Sequence, residues 1–214
     1  MNNSSNYCKT HTNSFFNSIS PDSQKKILKV CHPIHYDFKK EQVFFLGDGQ
    51  ILILETGFLM SIRSSFDGRK AGVDILKPGD LLGIGQIFNG DYEIIISILP
   101  LSPVNGYLIS IDNMTKLIKE NHDICLALIS QFAHRLIRVI DHFAVNTLGN
   151  SKDKLNYALQ TINNIKINQP THEELAIFSG LNRVTVSKII NEVISGYDVE
   201  HMLEGSTSKI IDIE

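Results

Sequence analysis

The chain changes its hydrophobic period near residue 112, and this change divides it into a strand-rich part and a helix-rich part. Between residues 36 and 111, short apolar runs alternate with turn sequences such as Asp67-Gly68, Lys-Pro-Gly-Asp at 77–80 and Asn105-Gly106. Such sequences supply the positive φ or the side-chain-to-backbone hydrogen bond that a tight reversal requires. The pattern predicts an all-β module, built as an antiparallel sandwich or barrel.

A long helix is predicted after this module, from Asn113 to about Leu148. Apolar residues recur there three and four positions apart, namely at Leu117, Ile124, Leu128, Phe132, Leu136, Val139 or Ile140, and Phe143. One small barrel cannot cover a helix of this length, so we expect a parallel homodimer with a seam centred on residues 132–143. The predicted dimer-interface residues are Leu128, Phe132, Leu136, Val139 and Phe143. Cover by another part of the same chain is the alternative.

A hinge is predicted where this helix ends, at Gly149, Asn150 and Ser151. Glycine suits the left-handed conformation that often ends a helix, and the hydroxyl of Ser151 can accept hydrogen bonds from the first amides of a following helix. That following helix is expected over residues 152–164 because its apolar residues share one face.

A helix-turn-helix is predicted from residue 171 onwards. Thr171 and Glu174 form a capping-box pair, and Gly180 permits a sharp turn before a second helix. An ordinary helical hairpin is the alternative. The outward positions of the second helix suit contacts with phosphates and base edges in a major groove. They are Asn182, Arg183, Val184, Thr185, Ser187, Lys188 and Asn191. Residues 199–203, Gly205 and residues 209–213 then predict a small hairpin, the wing that often follows such a unit.

The composition of the 214-residue chain allows a sizeable core, since 43% of its residues are hydrophobic, and the length favours two domains. No run approaches the roughly 18 apolar residues of a membrane span, and no signal peptide is evident, so we expect a soluble cytoplasmic protein. Neither the three cysteines nor His32 and His35 have the spacing of a metal site. No nucleophile elbow or phosphate loop is present, so we expect no enzymatic activity.

Three motifs, in this order, resemble the Crp/Fnr family of transcription regulators: KPGDLLGIGQIF at 77–88, FAHRL at 132–136 and SGLNRVTVSKII at 179–190. The resemblance covers nearly the whole chain. It implies an α+β fold with an N-terminal antiparallel β-roll (a jelly roll), a long dimerisation helix and a C-terminal winged helix-turn-helix. The expected divisions are residues 1–112, 113–150 and 151–214.

The resemblance implies a homodimeric regulator that binds double-stranded DNA at a two-fold operator, with RNA polymerase as a further partner. Charge supports a competing interpretation. From residue 151 onwards, six basic residues stand against nine acidic ones, and DNA affinity depends strongly on neutralising phosphates. The alternative is therefore a ligand-binding or protein-interaction dimer whose helix-turn-helix no longer binds DNA.

The effector pocket departs from the cyclic-AMP-binding members, which hold the nucleotide with polar and charged residues of the roll and the long helix. The matching positions here are Ile84, Ile94, Ile95, Val139 and Ile140. A cyclic phosphate buried against isoleucine would leave its charge unpaired at a cost of several kcal/mol, so we expect no response to cyclic AMP.

Several alternatives stay open for this pocket: its own side chains fill it, or it binds an apolar small molecule or haem, or an exposed cysteine senses redox state instead. Haem-binding members exist in the family, and the candidate axial ligands are His11, His122, His134 and His142. An effector lodged between roll and long helix would alter the helix near residues 139–143 and turn the DNA-binding domains through the hinge.

The second helix also departs from the family, whose members usually carry glutamate and arginine where this chain has Val184 and Lys188. Arg183 and Ser187 fit the family pattern. Valine lacks the acceptor that a cytosine amino group needs and offers apolar contact with a thymine methyl group instead. We therefore expect a half-site that is richer in A·T pairs.

Overall fold

The computed structural model describes residues 15–36, 44–45, 49–88, 97–165 and 169–204, with side chains described at 15–36, 49–88, 97–165 and 169–193. Its strands are β1 (His32–Tyr36), β2 (Phe44–Phe45), β3 (Gln50–Thr56), β4 (Leu59–Ser64), β5 (Lys70–Leu76), β6 (Leu81–Leu82), β7 (Ser97–Pro100) and β8 (Val104–Ser110). Its helices are α1 (Pro21–Val30), α2 (Ile111–Glu120), α3 (His122–Leu148), α4 (Ser151–Asn164), α5 (His172–Ser179) and α6 (Arg183–Glu204), with single 3₁₀ turns at Phe15–Ser18 and Ile84–Ile87.

The strands form two four-stranded antiparallel sheets, in the orders β1-β8-β3-β6 and β2-β7-β4-β5. They pack face to face around a shared interior of buried aliphatic residues, which are Leu52, Leu54, Leu59, Leu76, Leu82, Ile98 and Val104. The predicted antiparallel sandwich or barrel is confirmed in the form of a sandwich. The predicted turn at Asn105-Gly106 is wrong, because both residues lie within β8. Gly106 instead lets β3 approach closely, since a Cβ there would lie 2.4 Å from the carbonyl oxygen of Ile53.

The central part of β3 in the first sheet is buried on both of its faces. Leu52 and Leu54 of β3 point between the sheets, whereas Ile51 and Ile53 point outward and are covered by the 3₁₀ turn at Phe15–Ser18 and by α1, α2 and α3. This arrangement explains why β3 reads as an unbroken apolar run instead of alternating with polar residues.

The second sheet is covered on its outer face by the C-terminal head, which we define as α4–α6. Met60 and Ile62 of β4 and Ile75 of β5 share one buried cluster with side chains from all three helices of the head. Gly72 of β5 makes this contact close. A Cβ on Gly72 would lie 2.9 Å from the Cα of Phe178 in α5, so any larger residue would push the head away.

The long helix predicted from residue 113 is interrupted at Asn121, which separates α2 from α3. Asn121 has an extended backbone (φ −133°, ψ 106°), and its side-chain amide donates to the carbonyl oxygen of Leu117 at 2.9 Å. Asparagine competes in this way with the helical hydrogen bonds of the backbone, which makes it a common helix terminator. The apolar spacing continues across the break and conceals it.

The junction between α3 and α4 differs in detail from the predicted hinge. Asn150, and not Ser151, caps α4: its Oδ1 accepts from the amides of Lys152 and Asp153 at 2.8 and 3.1 Å. Gly149 is extended (φ −75°) and is not left-handed. Glycine is needed there for space, because a Cβ would lie 2.6 Å from the carbonyl oxygen of Val145.

The predicted helix-turn-helix is present. Thr171 and Glu174 form the capping box at the start of α5, and Gly180 turns the chain in the left-handed conformation (φ 65°). The predicted wing is wrong in its first half, because α6 continues through Glu204. Gly196 costs a helix only about 1 kcal/mol relative to alanine, which does not end a helix of this length. Residues 205–214 lie outside the described part of the chain. Within that part, no helix is long and apolar enough to cross a membrane.

Asp123 at the start of α3 ties this helix to the N-terminal segment and generates a pH prediction. Its carboxylate accepts from the Ser20 amide and the Ser23 hydroxyl, each at 2.8 Å, and these hydrogen bonds lower the pKa of Asp123 to about 2. An aspartate in the unfolded chain titrates near 3.9. The stabilisation is therefore complete above about pH 4 and is lost as the pH falls towards 2.

We expect Asp123→Asn to be less stable than wild type at pH 5, with the difference shrinking at pH 2.5. Urea unfolding followed by circular dichroism at the two pH values measures this change. Asp112→Asn, at the exposed start of α2, is the matched control and should keep the wild-type pH dependence. An unchanged pH dependence in Asp123→Asn would contradict the assignment.

Candidate functional site: the outer surfaces of α3 and α6

The second helix of the helix-turn-helix presents its predicted contact residues to solvent. Asn182, Arg183, Lys188 and Asn191 are exposed, and Val184 is 78% exposed. Thr185 and Ser187 are half-buried. On the opposite side of α6, Val186 and Ile189 are buried against α5, as the packing of a helix-turn-helix requires.

Hydrogen bonds fix several side chains of this surface. The Oδ1 atom of Asn182 accepts from the amide of Thr185 at 2.7 Å, so Asn182 caps α6. Ser187 lies 2.8 Å from Nδ1 of His172 at the start of α5, and Lys188 lies 3.9 Å from Glu192. Sequence reasoning missed His172. His172 directly follows the capping-box threonine and lies fifteen residues before Ser187. This spacing does not predict a contact between the two side chains.

The outward face of α3 carries an apolar stripe that is exposed in the single chain. The exposed fractions of its large side chains are 57% for Ile129, 59% for Leu136, 53% for Ile140 and 69% for Phe143. With Ala133, these residues are spaced by four, three, four and three positions, which is the spacing of a coiled-coil seam. We call these five residues the outer stripe.

Of the five predicted dimer-interface residues, Leu136 and Phe143 lie in the outer stripe and the other three do not. Leu128 is 2% exposed and belongs to the core beneath the first sheet, so it is not available to a partner. Phe132 packs on that core, with its ring 6.0 Å from Phe88, and Val139 is half-buried. Both faces of α3 are apolar in this region, so the spacing alone did not show which face the chain itself covers.

Charged residues fasten the inner face of α3 to the second sheet. Arg138 donates to Asp74 at 3.0 and 3.1 Å and to Asp80 at 2.9 Å, and Arg135 lies 3.2 Å from Asp74. Both carboxylates are almost fully buried, and burial raises the pKa of Asp80 against the attraction of Arg138. No sequence pattern indicates this network, because its members are about 60 residues apart.

A cavity of about 200 Å³ lies between the roll and α3. Of the predicted effector-pocket residues, Ile84 lines this cavity, together with Ile62, Arg63, Gln86, Phe132 and Arg135. The Gln86 amide nitrogen has no hydrogen-bond partner among the described residues. Val139 and Ile140 do not line this cavity, because they lie further round α3. Ile94 and Ile95 lie outside the described residues.

Two features bear on the predicted alternatives for an effector. His142 is a poor axial ligand for haem, because its Nδ1 and Nε2 atoms lie 3.1 and 2.7 Å from backbone carbonyl oxygens. Cys31 is a poor redox sensor, because burial raises the pKa of its thiol to about 11 and keeps it protonated. Among the described residues, no three histidine, cysteine or acidic side chains come together as a metal site. Cys8 and His11 lie outside that range.

Comparison with known proteins identifies the fold. No protein-family model and no curated protein matches the chain. A Crp/Fnr-family regulator from Eubacterium rectale is 16% identical, with a TM-score of 0.68 over 85% of this chain and 87% of that one. The c-di-GMP-responsive global regulator CLP of Xanthomonas campestris is 15% identical (TM-score 0.72, 83% and 93% covered), and FixK2 of Bradyrhizobium japonicum is 15% identical (TM-score 0.62, 78% and 86%). The chain therefore has the Crp/Fnr fold, as the motifs predicted.

The ion network predicts a large effect of Arg138→Leu. The substitution leaves Asp80 without an arginine partner, and breaking a buried pair in this way costs about 3–5 kcal/mol. We expect the free energy of unfolding in urea to fall by that amount. Arg69→Leu removes an arginine from an exposed pair with Asp67 and should leave the unfolding midpoint unchanged. Equal effects of the two substitutions would contradict a structural role for the network.

Proposed function

We propose that the protein is a homodimeric, sequence-specific DNA-binding transcription regulator of the Crp/Fnr type that does not respond to cyclic AMP. One observation carries the proposal: a single chain presents both an exposed coiled-coil stripe on α3 and a helix-turn-helix with polar and cationic side chains facing outward. The stripe would pair two subunits. The pair would then present two copies of α6 to a two-fold operator, as dimeric helix-turn-helix proteins do.

Dimerisation through α3 is supported by the cost of leaving the outer stripe in water. Large aliphatic and aromatic side chains each contribute about 1.5–3 kcal/mol when they are fully buried. In the single chain, Leu136, Ile140 and Phe143 are each more than half exposed. A second copy of α3 with the same spacing supplies a complementary surface, because each residue of the stripe fits between residues of the facing helix.

DNA binding is supported by the placement of charge on the head, although its total charge is negative. Arg183 and Lys188 are exposed on α6, and α5 begins at the capped N-terminus of Thr171, where backbone amides can contact a phosphate. Because few cationic side chains would contact phosphates, we expect DNA affinity to depend only modestly on salt concentration. Contact with RNA polymerase stays a prediction.

The absence of a response to cyclic AMP is supported by the apolar residue at one position of the cavity. Ile84 is 2% exposed and stands where a nucleotide-binding member has its glutamate. The polar lining at Arg63 and Gln86 makes a wholly apolar effector a weaker candidate than the sequence indicated.

The second candidate is a dimer whose helix-turn-helix does not bind DNA, and the acidity of residues 151–214 favours it. Selection from a random duplex library separates the two candidates without knowledge of the operator. Wild type should enrich a two-fold sequence whose half-sites lie about one helical turn, 10–10.5 base pairs, apart, and cyclic AMP should not change the enrichment. A dimeric protein that enriches no sequence would support the second candidate.

Leu136→Glu combined with Phe143→Glu should convert the dimer into a monomer, because two charges would be buried in the seam. Sedimentation velocity measures this change. Phe66→Glu is the matched control, since Phe66 is fully exposed on the β4–β5 turn and should leave the dimer intact. A double variant that remains dimeric would place the interface elsewhere.

Lys188→Ala should weaken binding to the selected operator and reduce the slope of log affinity against log salt by about 1, as expected for one lost phosphate contact. Lys116→Ala on α2 changes the net charge equally and should leave the slope unchanged. Equal slopes in both variants would remove Lys188 from the DNA contact.

Competition between half-site variants tests the predicted preference for thymine over cytosine opposite Val184.

A further inference from the structure

His142 joins three parts of the molecule at one buried point. It lies on α3, is 5% exposed, and its two ring nitrogens contact two different elements. Nδ1 lies 3.1 Å from the carbonyl oxygen of Val73 in β5, and Nε2 lies 2.7 Å from the carbonyl oxygen of Phe178 in α5. The ring is therefore in direct contact with both the roll and the head.

Both carbonyl groups need a donor that their own elements do not supply. The pairing of β4 with β5 matches Ser61 to Asp74 and Ile62 to Gly72, so it passes over Val73 as the extra residue of a β-bulge. Phe178 lies in the last turn of α5, where carbonyl groups have no partner within the helix. The Phe178 carbonyl is buried and the Val73 carbonyl is partly buried, and His142 is placed to donate to both.

A neutral imidazole carries a single N–H group and can donate to one of these oxygens, whereas an imidazolium donates from both nitrogens. With the head in place, a neutral ring would set a nitrogen lone pair against a carbonyl oxygen. We propose that His142 holds the C-terminal head against the roll as an imidazolium, so that docking of the head takes up a proton. This inference goes beyond the proposed function and does not depend on DNA binding.

The groups around the ring are compatible with a positive charge. The ring stacks between Phe178 and Tyr157, with centroids 4.2 and 5.8 Å away. Burial raises the pKa of the Tyr157 hydroxyl, so this neighbour from α4 remains neutral. From α5 only uncharged residues, 175–179, pack here.

The charged groups near the stack come from β5 and α3. Asp74 follows Val73 in β5, and Arg138 and Asp141 flank His142 on α3. Asp74 and Asp141 thus favour the imidazolium, whereas Arg138 and Arg135, which both pair with Asp74, oppose it. The C-terminal end of α5, at the Phe178 carbonyl, also favours a cation.

The close fit between α5 and β5 makes the two hydrogen bonds important for docking. The Cα of Phe178 would lie 2.9 Å from a Cβ on Gly72, so the head has little freedom to shift while it stays in contact. Loss of the proton leaves one carbonyl without a donor. The head is then expected to dock firmly at low pH and more loosely at high pH.

Hydrogen exchange of the full-length protein measures docking without any use of DNA. Exchange rates, corrected for their intrinsic pH dependence, are compared at pH 5.5 and 8.5 for β5 (residues 70–76) and α5 (172–179), with β3 (50–56) as the internal reference for global unfolding. Wild type should lose at least tenfold protection in β5 and α5 at the higher pH. Protection in β3 should not change.

Three variants separate the role of His142 from a general loss of packing. His142→Phe keeps the aromatic stack without a donor and should show low protection of β5 and α5 at both pH values. Gly72→Val displaces the head sterically and should give the same low protection without altering the histidine, which covers the case in which His142→Phe fails to fold. His134→Phe removes an exposed histidine of α3 and should keep the wild-type pH profile.

A direct measurement completes the test. In ¹⁵N-histidine spectra of wild type at pH 5.5, both ring nitrogens of His142 should be protonated while β5 and α5 are protected. The proposal is overturned if docked His142 has a bare nitrogen, if wild-type protection is equal at both pH values, or if His142→Phe retains the wild-type pH profile.

Discussion

The arrangement of this protein follows from a sheet that is apolar on both faces. The β2-β7-β4-β5 sheet directs Leu59 and Leu76 towards its partner sheet and Met60, Ile62 and Ile75 outward. The outer face of β4 and β5 must be covered, because each large apolar side chain left in water loses a burial free energy of about 1.5–3 kcal/mol. The C-terminal head is the element that covers it. The position of the helix-turn-helix is thus determined by the apolar side chains of β4 and β5 that the head buries. The short connection at Gly149 is compatible with this position but does not determine it.

The helix α3 has a separate function on each of its sides. Its inner side carries Ile124, Leu128 and the arginines that neutralise Asp74 and Asp80, and these contacts fasten it to the roll. Its outer side carries the exposed stripe that we assign to a second subunit. Because one rigid helix bears both sets of contacts, a small change in its seat on the roll would move the dimer seam and the head together.

The parts that sequence predicted are those with a local cause. Turn and capping residues act within a few positions, so Thr171, Glu174 and Gly180 were sufficient to predict the helix-turn-helix, and the apolar runs were sufficient for the two sheets. Some errors concern contacts between distant segments, and others, at Asn121, Gly149 and Asn150, concern local contacts that the apolar spacing does not reveal. The phase of the seam could not be read from α3 alone, because the roll covers one of two apolar faces. The state of Gly149 depended on the Val145 carbonyl, and the ion network depended on residues about 60 positions apart.

The same long-range contacts connect the cavity to the head. Arg135 lines the cavity and also pairs with Asp74 at 3.2 Å. Asp74 adjoins the bulge at Val73, whose carbonyl oxygen faces His142, and His142 in turn faces the carbonyl of Phe178 in the helix-turn-helix. A ligand that drew Arg135 away from Asp74 would leave this buried carboxylate with Arg138 alone, and the less neutralised carboxylate would favour the imidazolium that holds the head. Charge in the cavity and protonation of His142 would then be linked through one short segment of β5, without any need for the hinge to act first.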